Sequence, residues 1–303
     1  MSQSPATIPL THGHAANRRA AGLMVGAMAM FAVEDAGIKT LAARLPVGQV
    51  LATLGLLGLC VFWAMLARDG HRMWTRHLLL RPVMLRNLGE AIGSLGFTSA
   101  LALTDLSSAS AILQALPLAL VMGGALFLGE RVGWRRWTAI LVGAAGVLLI
   151  IRPGAAGFQP QSLLALVGVA GLAVRDLATR RMPGDVRSHQ LSAAAFGSLI
   201  PGGLLLAWVL GTPLLVPSGA ETLGFLGCIG FGVAGYAMMV TATRVGEASL
   251  VAPLRYVRLV FALMIAVAVF GERPDAATLA GAALIVGSGG FAMWRELRRG
   301  RRS

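Results

Sequence analysis

Long apolar stretches follow one another along almost the whole chain. A helix needs about 20 mainly apolar residues to cross a bilayer, and the chain offers ten stretches of roughly that length. They lie at residues 20–43, 47–67, 82–103, 106–128, 134–151, 162–182, 189–210, 222–243, 248–270 and 276–295. The connections between them are short, which leaves no room for a separate soluble domain. We therefore predict an all-α integral membrane protein with ten transmembrane helices.

The composition supports this class. Of the 303 residues, 56% are hydrophobic and only 13% are charged, whereas an ordinary soluble domain is about 25% charged and about 45–50% apolar. A soluble chain of this length would lack the polar surface needed to cover its core. The composition thus excludes a water-soluble enzyme of one or two domains.

The positions of the basic residues give the chain an orientation. With a cytoplasmic N-terminus, eighteen of the 26 lysines and arginines flank the inner ends of the spans, and only Arg44, Arg152 and Arg273 lie in outer loops. The other five fall within spans: Lys39, Arg86, Arg175, Arg255 and Arg258. The positive-inside rule then predicts a multi-pass plasma (inner) membrane protein with both termini cytoplasmic. The net charge of +13 reflects contact with anionic lipid headgroups rather than with nucleic acid.

The start of the first span resembles a twin-arginine export signal, because Arg18 and Arg19 precede an apolar stretch. The segment continues through Glu34, Asp35 and Lys39 without a clear cleavage site. We therefore expect an uncleaved helix, preceded by a polar tail.

Neither metal binding nor catalysis is indicated. The two cysteines, Cys60 and Cys228, lie within apolar runs, and the five histidines have no metal-ligand spacing. Nothing resembles a Ser/His/Asp set, a pair of catalytic carboxylates or a phosphate loop, and Gly89-x-x-x-Gly93 is typical of close helix packing. We expect no cofactor, no metal and no enzymatic activity.

The chain resembles itself at a spacing near 141 residues. Residues 31–35 align with residues 172–176, and at the same spacing Lys39 aligns with Arg180 and Gln49 with Gln190; residues 128–131 align with residues 270–273. Each copy contains five spans, so the second enters the membrane from the opposite side. We predict two inverted five-helix repeats, residues 1–157 and 158–303, an architecture that secondary transporters use for alternating access.

These features resemble the EamA-type transporters of the drug/metabolite transporter superfamily over residues 20–295. The resemblance rests on the five-plus-five repeat, on the Gly-Glu-Arg turn after the fourth span of each half, on Phe31-Ala32-x-x-Asp35-x-x-x-Lys39, and on Leu116-Pro117-Leu118. It is greatest with bacterial amino-acid exporters, and it implies both amino acids as cargo and export as direction. Related sequences often carry an arginine near Thr53, and this chain has none there.

Charged residues within the spans are the candidates for mechanism, because an ionisable group near the bilayer centre costs at least about 2.5–3.5 kcal/mol. Asp35 and Lys39 lie four residues apart, as do Asp176 and Arg180, so each pair shares a helix face. Each is either a structural ion pair or a gate that opens during transport. Glu34 and Arg175 occupy equivalent repeat positions, where they either line the pathway or pair with each other.

The third, fourth, eighth and ninth spans supply further candidates. Arg86 and Glu90 are again four residues apart; we expect Arg86 to extend towards the inner interface and Glu90 to face the pathway. Arg255 and Arg258 share a face, where they either bind a carboxylate of the solute or are neutralised by Glu90 or Asp176. The remaining polar candidates inside the spans are Gln114 and Tyr236.

The remaining interior would be mainly apolar, which favours a small amphipathic solute. The sequence thus predicts a secondary transporter of small amphipathic metabolites, and the resemblance implies amino-acid export as its specific form. Uptake of a nucleotide-derived or cationic metabolite, a channel and a membrane-embedded enzyme are the alternatives.

Overall fold

The computed structural model describes residues 14–130, 132–154, 158–182, 188–251 and 253–300, and within these ranges the chain is helical without β-strands. The tail before residue 14 lies outside them, as do Arg131, Arg187, Arg301 and Arg302 among the predicted basic flanks. The helices are α1 (His14–Ala42), α2 (Val47–Arg68), α3 (Arg81–Leu103), α4 (Leu106–Leu113), α5 (Leu116–Phe127), α6 (Trp134–Ile151), α7 (Leu163–Thr179), α8 (Ser188–Val209), α9 (Gly219–Val245), α10 (Ala248–Val251), α11 (Val257–Phe270) and α12 (Ala276–Gly300).

Eight helical stretches in these ranges are long and apolar enough to cross a membrane, and they coincide with eight of the ten predicted spans. The other two predicted spans correspond to α3 and α12. Helix α3 has 23 residues, but Arg86, Asn87 and Glu90 make its first half polar. The apolar part of α12, Ala276–Ala292, is shorter than the eight. The chain is a multi-pass membrane protein, and the crossing of α3 and α12 stays a prediction.

Two predicted spans are interrupted. The span at 106–128 breaks into α4 and α5 around Gln114 and Ala115, next to Pro117, whose ring removes a backbone N–H donor. The span at 248–270 breaks into α10 and α11, with the 3₁₀ turn Pro253–Tyr256 between them. The two breaks lie at corresponding positions of the two halves, although the sequence predicted continuous helices there.

The helices pack mainly in pairs that join the first half of the chain to the second. The principal contacts are α1 with α9, α2 with α8, α3 with α7, and α6 with α12. The largest buried cluster likewise takes residues from both halves, among them Leu101, Ile112, Val169 and Ile285. The halves therefore share one hydrophobic core.

Glycines bring the paired helices close together. A Cβ on Gly48 of α2 would collide with the backbone of Gly203 on α8, and a Cβ on Gly203 would collide with Gly48 in return. On α3, a Cβ at Gly89 or Gly93 would lie 2.7–2.8 Å from backbone nitrogens of α7. The predicted packing role of Gly89-x-x-x-Gly93 is confirmed.

Polar contacts define the two ends of the bundle. At the terminal end, where α1 begins and α2, α5, α7 and α9 end, Asn17 donates to Glu247 at 3.2 Å and Gln190 donates to the Met73 carbonyl at 2.7 Å. At the distal end, where α1, α3, α6, α8 and α11 end, Gln49 bonds both backbone groups of Leu215. The embedded charges lie between these two ends.

Candidate transport pathway

Asp35 and Arg258 form an ion pair with three hydrogen bonds. The Arg258 guanidinium donates from Nη2 to both carboxylate oxygens of Asp35 at 2.7 Å and from Nε to one of them at 3.1 Å. Asp35 is 2% exposed, and the guanidinium lies 5.3 Å from the centre of the Phe31 ring. The structure thus joins α1 to α11 and corrects the expected Asp35–Lys39 pair.

Lys39 instead belongs to a cluster at the distal end. Its ammonium donates to the carbonyls of Leu101 and Thr104 and lies 3.8 Å from the Glu272 carboxylate. Glu272 also accepts from the backbone nitrogens of Leu106 and Ser107, at 2.6 and 3.0 Å. Because a helix begins with unpaired N–H groups, Glu272 caps α4 from the other half of the chain. We call Lys39, Glu272 and the backbone groups that they bind at Leu101, Thr104, Leu106 and Ser107 the distal latch.

The repeat-related residues meet at the terminal end. Arg180, the counterpart of Lys39, donates to Glu130, the counterpart of Glu272, at 2.9 Å. Arg181 donates to the Phe127 carbonyl at 2.7 Å. The expected Asp176–Arg180 pair is therefore wrong as well: Asp176 accepts from Arg175, and Arg180 reaches the turn after α5.

Arg175 lies between two carboxylates. Its Nε donates to Asp176 at 2.7 Å and its Nη1 lies 3.3 Å from Glu90, which joins α7 to α3. Arg175 therefore does not pair with Glu34 in this structure. Glu90 pairs with Arg175 rather than with Arg86, whose Nη1 donates to Asn87 and to the Leu191 carbonyl at 3.2 and 3.1 Å. The expected extension of Arg86 to the interface is replaced by these contacts with α8.

Glu34 and Arg255 have no ionic partner within the described part of the chain. The Glu34 carboxylate faces α9, where a Cβ on Gly232 would lie 2.6 Å from its Oε1. Arg255 is exposed and donates to the Met239 sulfur, also on α9, at 3.3 Å. The two arginines of the predicted face thus differ: Arg258 is neutralised by Asp35, and Arg255 is not neutralised.

The two helix breaks meet through Gln114. Its amide donates to the Tyr256 carbonyl at 3.3 Å, linking the break between α4 and α5 to the 3₁₀ turn before α11. Tyr236 lies on α9, edge-on to Phe62 with 6.1 Å between ring centres. Interrupted helices at corresponding positions in two repeats mark the binding region in many transporters. Arg255 lies in one of these breaks.

Sequence reasoning missed Glu272 and Glu130 as functional groups because both lie outside the spans. The signal was present: both belong to the Gly-Glu-Arg turns that revealed the repeat, although Arg131 of the first turn lies outside the described residues. One surface cleft of the described chain is lined by Asn17, Arg18, Ala21 and Leu250, none of which is a predicted site residue. The embedded charges identify the candidate pathway.

Comparison with known proteins gives several relatives. The chain is 31% identical over 77% of its length to the riboflavin transporter of Rhizobium johnstonii, covering 74% of that protein. It is 28% identical to the pseudopaline exporter CntI of Pseudomonas aeruginosa, with 87% of this chain and 92% of that protein aligned. For the S-adenosylmethionine uptake transporter of Rickettsia felis, the identity is 27% over 70% and 71%.

The fold and the family are recognisable as well. One crystal structure superposes with a TM-score of 0.57 at 22% identity, over 89% of this chain and 97% of the other. The model of the EamA-like transporter family matches twice, at residues 18–152 and 160–293. The relatives carry transporter names, which agrees with the expectation that the chain is not an enzyme. The chain is a membrane transporter and belongs to the EamA-like transporter family.

Proposed function

We propose that this protein is a secondary transporter that moves small amphipathic metabolites by alternating access between two inverted repeats, residues 1–157 and 158–303. The observation that carries the proposal is that contacts between the two halves occur in repeat-related pairs. Packing of α1 on α9 has its counterpart in packing of α7 on α3. Likewise, the Lys39–Glu272 contact at the distal end has its counterpart in the Arg180–Glu130 contact at the terminal end.

A difference between the two ends supports alternating access. At the distal end the side chains of Lys39 and Glu272 are 17% and 8% exposed, and Glu272 caps α4. At the terminal end the side chains of Arg180 and Glu130 are 49% and 43% exposed. Two like halves that exchange conformations would exchange these two states. We interpret the structure as closed at the distal end and more open at the terminal end.

The charge distribution supports a plasma-membrane location with both termini cytoplasmic, where basic flanks contact anionic headgroups. In that orientation the terminal end faces the cytoplasm, and the distal end faces outwards. The Trp134 ring, 5.1 Å from the Arg135 guanidinium at the terminal end, is typical of an interfacial anchor.

Amino-acid export is the specific form of the proposal that the sequence favours. The relatives support a broader set, because their names specify S-adenosylmethionine uptake, riboflavin transport and pseudopaline export. Uptake of a nucleotide-derived or cationic metabolite is accordingly the second candidate, favoured by the S-adenosylmethionine transporters among the relatives.

The proposal is tested by counterflow in proteoliposomes. Purified protein is reconstituted with an unlabelled solute inside, and uptake of the labelled solute is followed with and without an imposed pH gradient. The panel contains amino acids, S-adenosylmethionine and riboflavin. Saturable counterflow of any member supports a transporter. Unsaturable flux without counterflow would indicate a channel, and product formation without net transfer would indicate an enzyme.

A further inference from the structure

Glu34 and Arg255 are embedded charges of opposite sign that the described protein does not neutralise. Starting from the transport function proposed above, we infer that the pathway binds an elongated solute with a cationic group at one end and an anionic group at the other. Glu34 binds the cationic group and Arg255 binds the anionic group.

The other embedded charges are held by protein groups. Asp35 is bound by Arg258, Glu90 and Asp176 are bound by Arg175, and Lys39 contacts Glu272. Arg86 has no ionic partner among the described residues, but its Nη1 donates to Asn87 and to the Leu191 carbonyl. Glu34 lies within electrostatic range of Arg258, but the Arg258 guanidinium already donates from both Nε and Nη2 to the Asp35 carboxylate. Arg255 lies within range of Asp176, whose carboxylate accepts from Arg175. Glu34 and Arg255 thus each lie near an ion pair formed by other residues, and neither has an ionic partner of its own within the ranges that the structure describes.

The separation of Glu34 and Arg255 follows from the positions that they contact on α9. Glu34 reaches α9 at Gly232, and Arg255 reaches it at Met239. These positions are seven residues apart, so an α-helical rise of about 1.5 Å per residue separates them by about 10 Å. Tyr236 lies one turn from Gly232 towards Met239. Glu34 on α1, Tyr236 on α9 and Arg255 in the 3₁₀ turn before α11 are therefore arranged along one stretch of α9.

The chemistry of the Glu34 carboxylate and the Arg255 guanidinium determines which solute fits. A guanidinium binds carboxylate or phosphate with paired hydrogen bonds, and a carboxylate binds an ammonium or another cation. An unpaired charge among membrane helices costs free energy, so a solute that neutralises both groups gains more than one that neutralises either alone. An α-amino acid carries its two charges on adjacent atoms and cannot reach both groups. The site consequently favours a longer zwitterion over a free α-amino acid.

The test measures binding of a series of ω-amino acids to the full-length purified protein by titration calorimetry. The probe is ω-aminocaprylate, whose extended chain matches the separation along α9. The shorter γ-aminobutyrate and alanine, the N-acetyl derivative of ω-aminocaprylate and its carboxamide are compared with it. We expect ω-aminocaprylate to bind about tenfold more tightly than each of the other four, because each lacks one charged contact.

Two variants then test which residue binds the cationic end of the solute and which binds the anionic end. Glu34→Gln should abolish the difference between ω-aminocaprylate and its N-acetyl derivative while preserving the difference from the carboxamide. Arg255→Gln should show the reverse pattern. Arg68→Gln, at an exposed position at the end of α2, is the matched control and should bind like the wild type. A loss of stability alone would weaken all ligands equally and would not produce the crossed pattern.

Binding without length dependence, or without the crossed pattern, would overturn the inference. So would a complete failure of the zwitterions to bind while proteoliposomes still show counterflow of another solute, and the transporter proposal would then stand. If the crossed pattern is found but counterflow is absent for every solute, the binding site is supported and the proposed transport is wrong.

Discussion

At the residue scale, the role of an embedded charge depends on which group lies nearest to it in space. Asp35 and Lys39 share a helix face, yet each finds a partner on another element, because a bidentate guanidinium and free carbonyls satisfy them better than each other. Arg258 and Asp35 are accordingly structural in this conformation. Glu34 and Arg255, which sequence spacing did not distinguish from them, are the charges that we assign to a solute.

The Asp35–Arg258 pair gives the first prediction. Asp35→Asn should destabilise the protein by about 3–5 kcal/mol, because it leaves a guanidinium without its counter-ion in the interior. The double variant Asp35→Asn/Arg258→Gln should recover part of that loss. Thermal unfolding of the purified variants measures both effects. Destabilisation by the double variant equal to the sum of the losses in Asp35→Asn and Arg258→Gln alone would show that the pair is not coupled.

A second residue-scale prediction concerns pH at the distal surface. Asp275 accepts from the Arg152 guanidinium and from the Thr278 backbone N–H, which together hold the pKa of its carboxyl below the ordinary value. The ion pair likewise raises the pKa of Arg152. The stabilising contribution of Asp275 is therefore full above its unfolded pKa of about 4 and is lost as the pH falls through the lower folded value.

The measurement is the melting temperature between neutral pH and strong acid. We expect Asp275→Asn to lower it at neutral pH and to reduce the difference from the wild type as the solution is acidified. A difference that grows with acidification would contradict this assignment. The effect should be small, because the Asp275 side chain is 51% exposed and the pair is screened by solvent.

At the scale of elements, the membrane helices depend on close approach as well as on apolar area. Lipid tails are as apolar as leucine, so burial of apolar side chains alone does not drive helices together, and small residues allow the backbones to pack. The glycines of α2 and α8 do this reciprocally. The breaks in the fourth and ninth spans have the opposite effect: they free backbone groups, and the Gln114 amide donates to one of them, the Tyr256 carbonyl.

The glycine contact gives the third prediction. Gly203→Ala should destabilise the protein by about 1–3 kcal/mol, because the new methyl group would overlap the Gly48 carbonyl and lie 2.7 Å from the Ala52 nitrogen. Gly230→Ala is the matched control: a Cβ there meets nothing within 4 Å. Both changes raise helix propensity equally, so the difference in their melting temperatures isolates the steric term. Equal stabilisation by both would contradict close packing here.

At the scale of the whole molecule, repeat-related contacts at the two ends differ in exposure. The distal latch is buried and caps a helix, whereas the terminal pair of Arg180 and Glu130 is half-exposed. A protein with two like halves needs no separate gate for each direction, because one set of contacts at each end can close in turn.

The fourth prediction tests this difference between the ends. Glu272→Ala should release α4 and expose its interior face, so Ser110→Cys on α4, at a position now 3% exposed, should react several-fold faster with a charged thiol reagent. The background carries Cys60→Ser, because Cys60 is exposed. Glu130→Ala, the repeat-related change at the other end, should leave the labelling rate unchanged. Equal acceleration by both variants would show that Glu272 does not hold the distal end closed.

The sequence by itself determined the helical membrane class, eight of the spans and the family. Each of these depends on local or periodic properties: the length of an apolar run, the self-similarity of the two halves, and motifs such as the Gly-Glu-Arg turn. It also singled out the embedded charges as a set, because the cost of burying an ion is independent of where its partner lies along the chain.

Only the tertiary structure decided which charge meets which. Asp35 and Arg258 are separated by 223 residues and Gln114 and Tyr256 by 142, and no helical periodicity relates such positions. The same holds for the breaks in the fourth and ninth spans, since a proline in a membrane helix is compatible with either a kink or an interruption until neighbouring helices satisfy the freed backbone. Contacts in space turned the ten candidates into a few ion pairs, and left Glu34 and Arg255 as the groups that we assign to a solute.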